Sequence, residues 1–179
     1  MFPEAFAREI AEDLLNDLSP FCNRIEIVGS LRRHKMAVND IDLIAIPKLL
    51  QLDDDTLFGE PVQENLLDRK LSQMCLSTDL ALEANGTKIK RFTKTVDGDF
   101  VPIDIYVSIE QTWWTLLLIR TGSRNHNVKL ARKAIDLGMH LKADGSGLLA
   151  ADGSLIQIYS EEGIFRHLGL QYRPPEERD

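Results

Sequence analysis

The chain has 179 residues, 44% of them hydrophobic and 27% charged, and a formal net charge of −7. These values exclude low-complexity disorder and fit one compact domain, or two small subdomains sharing a core. The acid-rich opening FPEAFAREIAEDLLNDL excludes a signal-peptide apolar region, and no apolar run approaches the roughly 20 residues of a membrane span. The expected location is the cytoplasm, or a nucleoid or virion.

Phe2, Phe6, Ile10, Leu14 and Leu18 recur every fourth residue and predict an amphipathic helix ending before Ser19-Pro20. RIEIV, Arg24 to Val28, alternates and breaks at Gly29 as a strand does, and DIDLIAI, Asp40 to Ile46, is the next strand, stopped by Pro47. Asp53 to Pro61 reads as an acidic loop, with Asp53 to Asp55 solvated. Leu66, Leu67, Leu71, Met74 and Cys75 sit at helical spacing. TKIKRFTKT and FVPIDIYV, joined through VDGD, form a hairpin. A helix over WWTLLLI follows, then a second from a Ser123 cap to a Gly138 stop. GLLAADGSLIQI predicts a second hairpin with Asp152-Gly153 at its turn. A last helix begins near Ser160 and ends at Gly169, and Pro174-Pro175 closes the ordered chain. Cys22 and Cys75 lack metal-ligand spacing and read as free thiols in a reducing compartment. The order implies an α+β sheet domain over 1–109 and a smaller subdomain over 110–179.

Residues i and i+2 of a strand face one side, so Asp40 and Asp42 project together while Ile41 and Leu43 enter the core. Two adjacent carboxylates repel unless a cation lies between them or one is protonated, and hard ions such as Mg²⁺ take this oxygen cluster. A solvated strand end is the plain alternative. Asp104 lies mid-strand in VPIDIYV, where an unpaired carboxylate costs several kcal/mol. It needs a partner, either a basic side chain or a metal shared with Asp40 and Asp42. Gly29-Ser30 precedes LRRH: glycine admits a phosphate close to the backbone, Ser30 adds a hydroxyl, and Arg32 or Arg33 adds a forked cation.

The run GSLRRHKMAVNDIDLI resembles the nucleotidyltransferase signature, and RTGSRNHNVKLARKAIDLGMHLKADGSGLL with EEGIFRHLGLQYRPPEERD resembles the DNA polymerase X family in particular. The likeness spans Ile25 to Asp179. It implies a nucleotidyltransferase palm, a mixed sheet with flanking helices, followed by a small α+β nucleotide-selecting subdomain. It implies that Asp40, Asp42 and Asp104 are catalytic and hold two Mg²⁺ ions, with Mn²⁺ able to substitute. Gly29, Ser30, Arg33 and the backbone at Asn39 would bind triphosphate. Gly122 and Ser123 would lie beside the sugar, Arg120 at the nucleotide, and Asn127 would donate to the base edge. The implied partners are a dNTP and a DNA primer-template or gapped duplex, bound by a monomer with no membrane association.

Departures from the family pattern shape the expectations. Only a helix of about twenty residues stands where the family has its lyase domain and DNA clamps, so a minimal, distributive, salt-sensitive enzyme is expected. Ile119-Arg120 replaces an aromatic pair, which bears on ribonucleotide rejection. Pro102 stands where relatives place an Arg that orients the third aspartate, and Ala131 where some use Arg against the template. Lys88, Lys90 and Lys94 share one face of a predicted strand and, with Arg132 and Lys133, are the candidate nucleic-acid contacts, a plain solvated face being the alternative. At least one of Trp113 and Trp114 belongs to the core. His126 lies beside the nucleotide or caps a surface turn, and His34 and Lys35 are expected in solvent, with contact to phosphate or the non-reacting DNA strand as the alternative. Three functions follow in order: templated short-gap filling in DNA repair; template-independent addition to DNA or RNA ends; and an idle nucleotide- or DNA-end-binding module, against which the three acids argue.

Overall fold

Five strands in the order β2-β4-β9-β8-β7 form the main sheet of the computed structural model, which describes residues 1–52, 62–77 and 79–179. The acidic loop expected over Asp53 to Pro61 lies outside the described residues. In chain order, β1 (Phe2–Pro3) leads into α1 (Glu4–Leu18), β2 (Cys22–Ile27), the four-residue α2 (Gly29–Arg32), β3 (Ala37–Val38) and β4 (Ile41–Pro47). Next come β5 (Leu49–Leu52), β6 (Val62–Asn65), α3 (Leu66–Ser77), β7 (Leu80–Asn85), β8 (Ile89–Val96) and β9 (Asp99–Val107). The chain continues through α4 (Trp113–Thr121), α5 (Arg124–Asp136), β10 (His140–Leu141), β11 (Leu148–Leu149) and α6 (Glu161–His167). The fold is α+β. The helix, strand and hairpin expectations from Phe2 to Val107 hold, except that Phe2 pairs with Val38 in a two-stranded ribbon rather than starting the helix.

β4 and β9 run parallel, and the remaining neighbours in this sheet pair antiparallel. Side-chain alternation then separates two cores. Ile41, Leu43 and Ala45 of β4, with Ile103 and Ile105 of β9, face α1 and α3, whose Ile10, Leu14, Leu67 and Leu71 are also buried. Each such aliphatic side chain contributes about 1.5–3 kcal/mol on burial. On the opposite face Ile44 and Ile46 meet Trp113, Leu116 and Leu117 of α4. A third cluster joins Leu118, Leu130, Leu148, Ile164 and Phe165 in the C-terminal part. Trp113 is fully buried, whereas Trp114 is half-exposed; the Arg24 guanidinium lies 4.2 Å and 4.4 Å from their ring centres.

The second hairpin is present but short: Leu149 bridges Leu155, Ala150 N–H donates to the Ser154 carbonyl and Ile156 N–H to the Leu148 carbonyl, while β11 also pairs with β10 and delivers Leu148 to the C-terminal core. One expectation is corrected. The tail does not lose order at Pro174-Pro175. It turns through Pro175–Glu177 and seats Arg178 at 0% exposure, where it meets a buried carboxylate. Among the described residues no helix is long and apolar enough to cross a membrane.

Candidate active site

The parallel pairing of β4 with β9 puts Asp42 directly opposite Asp104. Both lie on the α4-facing side of the sheet, at the end that α4 leaves uncovered, and Asp40 stands in the turn just before β4. Burial pushes the Asp42 carboxyl up to about 7, reinforced by the charges of Asp40 and Asp104, with Arg120 opposing. Burial, then Asp104, also raises Asp40. Asp104 is held on two sides: Tyr106 donates its hydroxyl to Oδ2 at 3.1 Å, and Arg91 Nε lies 3.4 Å from Oδ1. Arg120 stacks on Tyr106 with 4.0 Å from guanidinium carbon to ring centre.

Gly29 makes the approach of α2 to this face possible. Its φ of 65° suits glycine, and a Cβ there would collide with the Asp42 carboxylate. Beyond it, Ser30 Oγ is buried without a protein partner. Arg33 donates Nη1 to the Thr121 carbonyl, leaves Nε buried and unpaired, and has its acidity raised by burial. Gly122, at φ 72°, is the second close approach, since a Cβ there would lie 3.0 Å from Arg33 Nη1. These two glycines draw the α2 turn and the α4–α5 junction together around a cavity of about 720 Å³. Its walls unite Gly29, Ser30, Arg33, Asn39, Asp40, Asp42, Arg120, Gly122, Ser123 and Asn127 from the expected set.

Ser123 caps α5 by accepting from His126 N–H at 3.3 Å. Asn127 donates Nδ2 to the Ile119 carbonyl at 2.8 Å, so one of its two amide N–H groups already has a partner, and its Oδ1 is the buried unpaired atom. His126 is buried against Phe165 and does not line the cavity; burial pulls its imidazole down to about 4, helped by Arg178 and Arg173. Lys35 is not free in solvent as expected: it is ion-paired with Asp179 and lines the cavity. Arg124 and Val128 also line it, on the α5 stripe that carries Asn127 and Ala131. The i, i+3, i+4, i+7 spacing from Arg124 was the sequence signal that could have found them.

Behind the cavity lies a buried ionic hub. Glu161, in the first turn of α6, accepts from Arg32 Nη2 at 2.6 Å and from Arg178 Nη1 at 2.7 Å. Arg32 Nη1 also donates to Thr121 Oγ1 at 2.6 Å. Burial raises the Glu161 carboxyl, but hydrogen bonds from both arginines outweigh it and hold the group below its ordinary value. Arg32 therefore anchors the turn, while Arg33 faces the cavity.

The basic stripe divides. Lys90 is buried at 2% exposure, ion-paired with Asp68 of α3 and donating to Asn85 Oδ1 at 2.8 Å, so it is not available to nucleic acid. The reason is alternation: Lys90 shares its face of β8 with the buried Phe92. Lys94 is half-buried on that same face. Lys88 is exposed, 3.4 Å from Asp144, and borders a second cavity of about 550 Å³ with Arg91, Tyr106 and Arg120. Arg132 is exposed and Lys133 half-buried on α5.

The DNA polymerase beta thumb family profile matches residues 116–179. The whole chain is 28% identical over 180 residues to DNA polymerase/3'-5' exonuclease PolX of Bacillus subtilis (strain 168), covering 99% of this chain and 28% of that protein. The chain is similar to DNA polymerases of the X family. DNA polymerase lambda of Rattus norvegicus is a further X-family relative, 29% identical over 166 residues, covering 84% of this chain and 28% of that one. The chain thus spans little more than a quarter of the length of these curated relatives.

The X-family likeness implies divalent metal. Asp42 and Asp104 on one sheet face, with Asp40 in the turn before it and Asp42 raised by burial and then by like charges, make the oxygen donor set that a hard cation takes. Among the described residues no three acidic, histidine or cysteine side chains converge as a formed metal group, and Asp104 is engaged by Arg91 and Tyr106. The residues fit in chemistry and in face.

Proposed function

We propose that this chain transfers a nucleotide from a dNTP to a primer 3'-hydroxyl, filling short gaps in DNA, with 1–109 as the nucleotidyltransferase palm and 110–179 selecting the nucleotide. The observation that carries this reading is the register of Asp42 with Asp104 beside a cavity whose wall holds unpaired phosphate-type donors, Ser30 Oγ and Arg33 Nε. Asp40, Asp42 and Asp104 would hold the divalent cations, which when bound lower the pKa of the attacking hydroxyl and stabilise the leaving pyrophosphate. Ser30 and Arg33 take the β- and γ-phosphates together with backbone at Asn39, and the positive φ of Gly29 lets that backbone approach. Gly122 leaves room for the sugar. Asn127 meets the base edge after exchanging its bond to the Ile119 carbonyl. Asp104 accepts the proton of the primer hydroxyl. Lys88, Arg132 and Lys133 take phosphates of the duplex, which makes binding fall steeply with salt.

The test is primer extension with Mg²⁺ on a one-nucleotide gapped duplex, a recessed primer-template and a bare single strand, each with single dNTPs or rNTPs. Templated insertion in the gap, lost in Asp104→Ala, is the expected result. Equal addition to the bare strand regardless of template would replace gap filling by terminal transfer. Binding of dNTP or DNA without any incorporation would leave an idle binding module.

A further inference from the structure

Asp104 has four same-face neighbours in the sheet, and each has a different relation to its charge. Pro102 and Tyr106 flank it along β9, Asp42 stands across on β4, and Arg91 stands across on β8. Asp42 repels it. Pro102 carries no side-chain donor. That leaves Tyr106, donating to Oδ2 at 3.1 Å, and Arg91, ion-paired with Oδ1 at 3.4 Å, one partner for each carboxylate oxygen. Tyr106 is itself confined, because the Arg120 guanidinium carbon lies over its ring, 4.0 Å from the ring centre.

We infer that Tyr106 and Arg91 are positioning residues that jointly set the orientation of the Asp104 carboxylate, with Arg120 pinning the phenol. This inference rests on the reading of Asp104 as a metal-holding acid of the nucleotidyl transfer. A carboxylate free to rotate presents its lone pairs to a cation only part of the time. A hydrogen bond at one oxygen and an ion pair at the other reduce that freedom and favour one rotamer of the side chain. The two donors differ in kind. Tyr106 is half-buried and donates through a neutral hydroxyl. Arg91 is more than half exposed, so its pull on Asp104 is screened by solvent and by salt. The geometry therefore gives Tyr106 the larger share, and makes the Arg91 share depend on ionic strength. Arg120 has a double place: it borders the dNTP cavity on one side and the Lys88–Arg91 cavity on the other. A bound nucleotide that moved the Arg120 guanidinium would be felt at Tyr106, and through it at Asp104.

The experiment measures Mn²⁺ binding by electron paramagnetic resonance of free Mn²⁺, with full-length protein, gapped duplex ending in a dideoxynucleotide and the matching dNTP. In parallel, kcat and KM for the dNTP are measured with Mg²⁺ and an extendable primer. The proteins are wild type, Tyr106→Phe, Arg91→Gln, Arg91→Lys and Asp104→Ala. Tyr106→Phe is expected to weaken Mn²⁺ binding about tenfold and to lower kcat about tenfold, with KM for the dNTP unchanged, as loss of a hydrogen bond to a charged group implies. Arg91→Gln is expected to give a smaller loss that vanishes at high salt, and Arg91→Lys to restore it. Tyr106→Phe and Arg91→Gln both within twofold of wild type in Mn²⁺ affinity and kcat would overturn the inference while Asp104→Ala remained dead. Wild type no better than Asp104→Ala in either readout would instead overturn the parent reading, and the inference with it.

Discussion

Two groups of half-buried and buried charge flank the four residues of α2, and the fold treats them in opposite ways. On one side Glu161 sits between Arg32 and Arg178, both its oxygens are met by guanidinium groups, and Arg32 Nη1 also reaches Thr121. On the other side Asp40, Asp42 and Asp104 share one sign, and the cations nearest them are Arg91, screened at the surface, and Arg120, engaged with a tyrosine ring. The hub's carboxylate is met within the chain by two arginines, and it serves as scaffold, tying the phosphate-side turn to α6 and to the tail. The acid face keeps a like-charge repulsion that a proton or a cation relieves. A carboxylate paired with protein cations marks structure, and carboxylates left together beside a cavity mark chemistry.

That contrast can be broken at either end, and the largest effect lies in the acids. Asp42→Ala and Asp104→Ala should each reduce templated incorporation by about a thousandfold or more, while circular dichroism and the unfolding transition stay close to wild type. Loss of folding instead would put these acids in the same class as the hub. Next, Glu161→Gln leaves two arginines facing a neutral amide. It should lower stability by about 3 kcal/mol, or the midpoint of thermal unfolding by about 10 °C. The acid face predicts the reverse sign. Asp42→Asn, measured at pH 8 in a chelator, should raise stability by about 2 kcal/mol, because the native carboxylate is ionised against its environment. With the folded carboxyl at about 7 and an ordinary value of 3.8, the native state holds more protons between those limits. Wild-type stability from this group therefore falls as pH rises through the window, and the advantage of Asn shrinks toward pH 4. The smallest effect concerns His126, held near 4 against an ordinary 6.5. Here the unfolded chain protonates first on acidification, so stability is lost from pH 6.5 down to 4, and His126→Gln should recover about 1 kcal/mol of that acid-side loss. Differential scanning calorimetry across pH 4 to 8 reads both slopes.

Much of the acid face could be read from sequence because it is local. Alternation alone put Asp40 and Asp42 on one side and Ile41 and Leu43 in the core, and the buried exposure of Ile41 and Leu43 agrees. That Asp104 would stand opposite Asp42 required a parallel pairing between β4 and β9, strands more than fifty residues apart, and no period in the sequence encodes a non-local register. The hub was missed for the same reason, since Arg32, Glu161 and Arg178 come from three distant segments. The Lys90 error has another origin: alternation correctly grouped Lys90 with Lys94, but Phe92 between them shows that the shared face is the inner one. The tail was misread because a Pro-Pro pair followed by charges looks like an open end, whereas Arg178 finds its partner only in the folded chain.

Arg178 also decides how this tail meets a protease. Trypsin-like enzymes cut after arginine, and the tail offers Arg173 and Arg178 as its only such bonds past His167. The first is followed by Pro174, a poor leaving side for such enzymes, and the second is sealed at 0% exposure against Glu161. The Arg178 side chain must leave Glu161 before such an enzyme can take it, so that bond stays closed while α2, α6 and the tail remain joined.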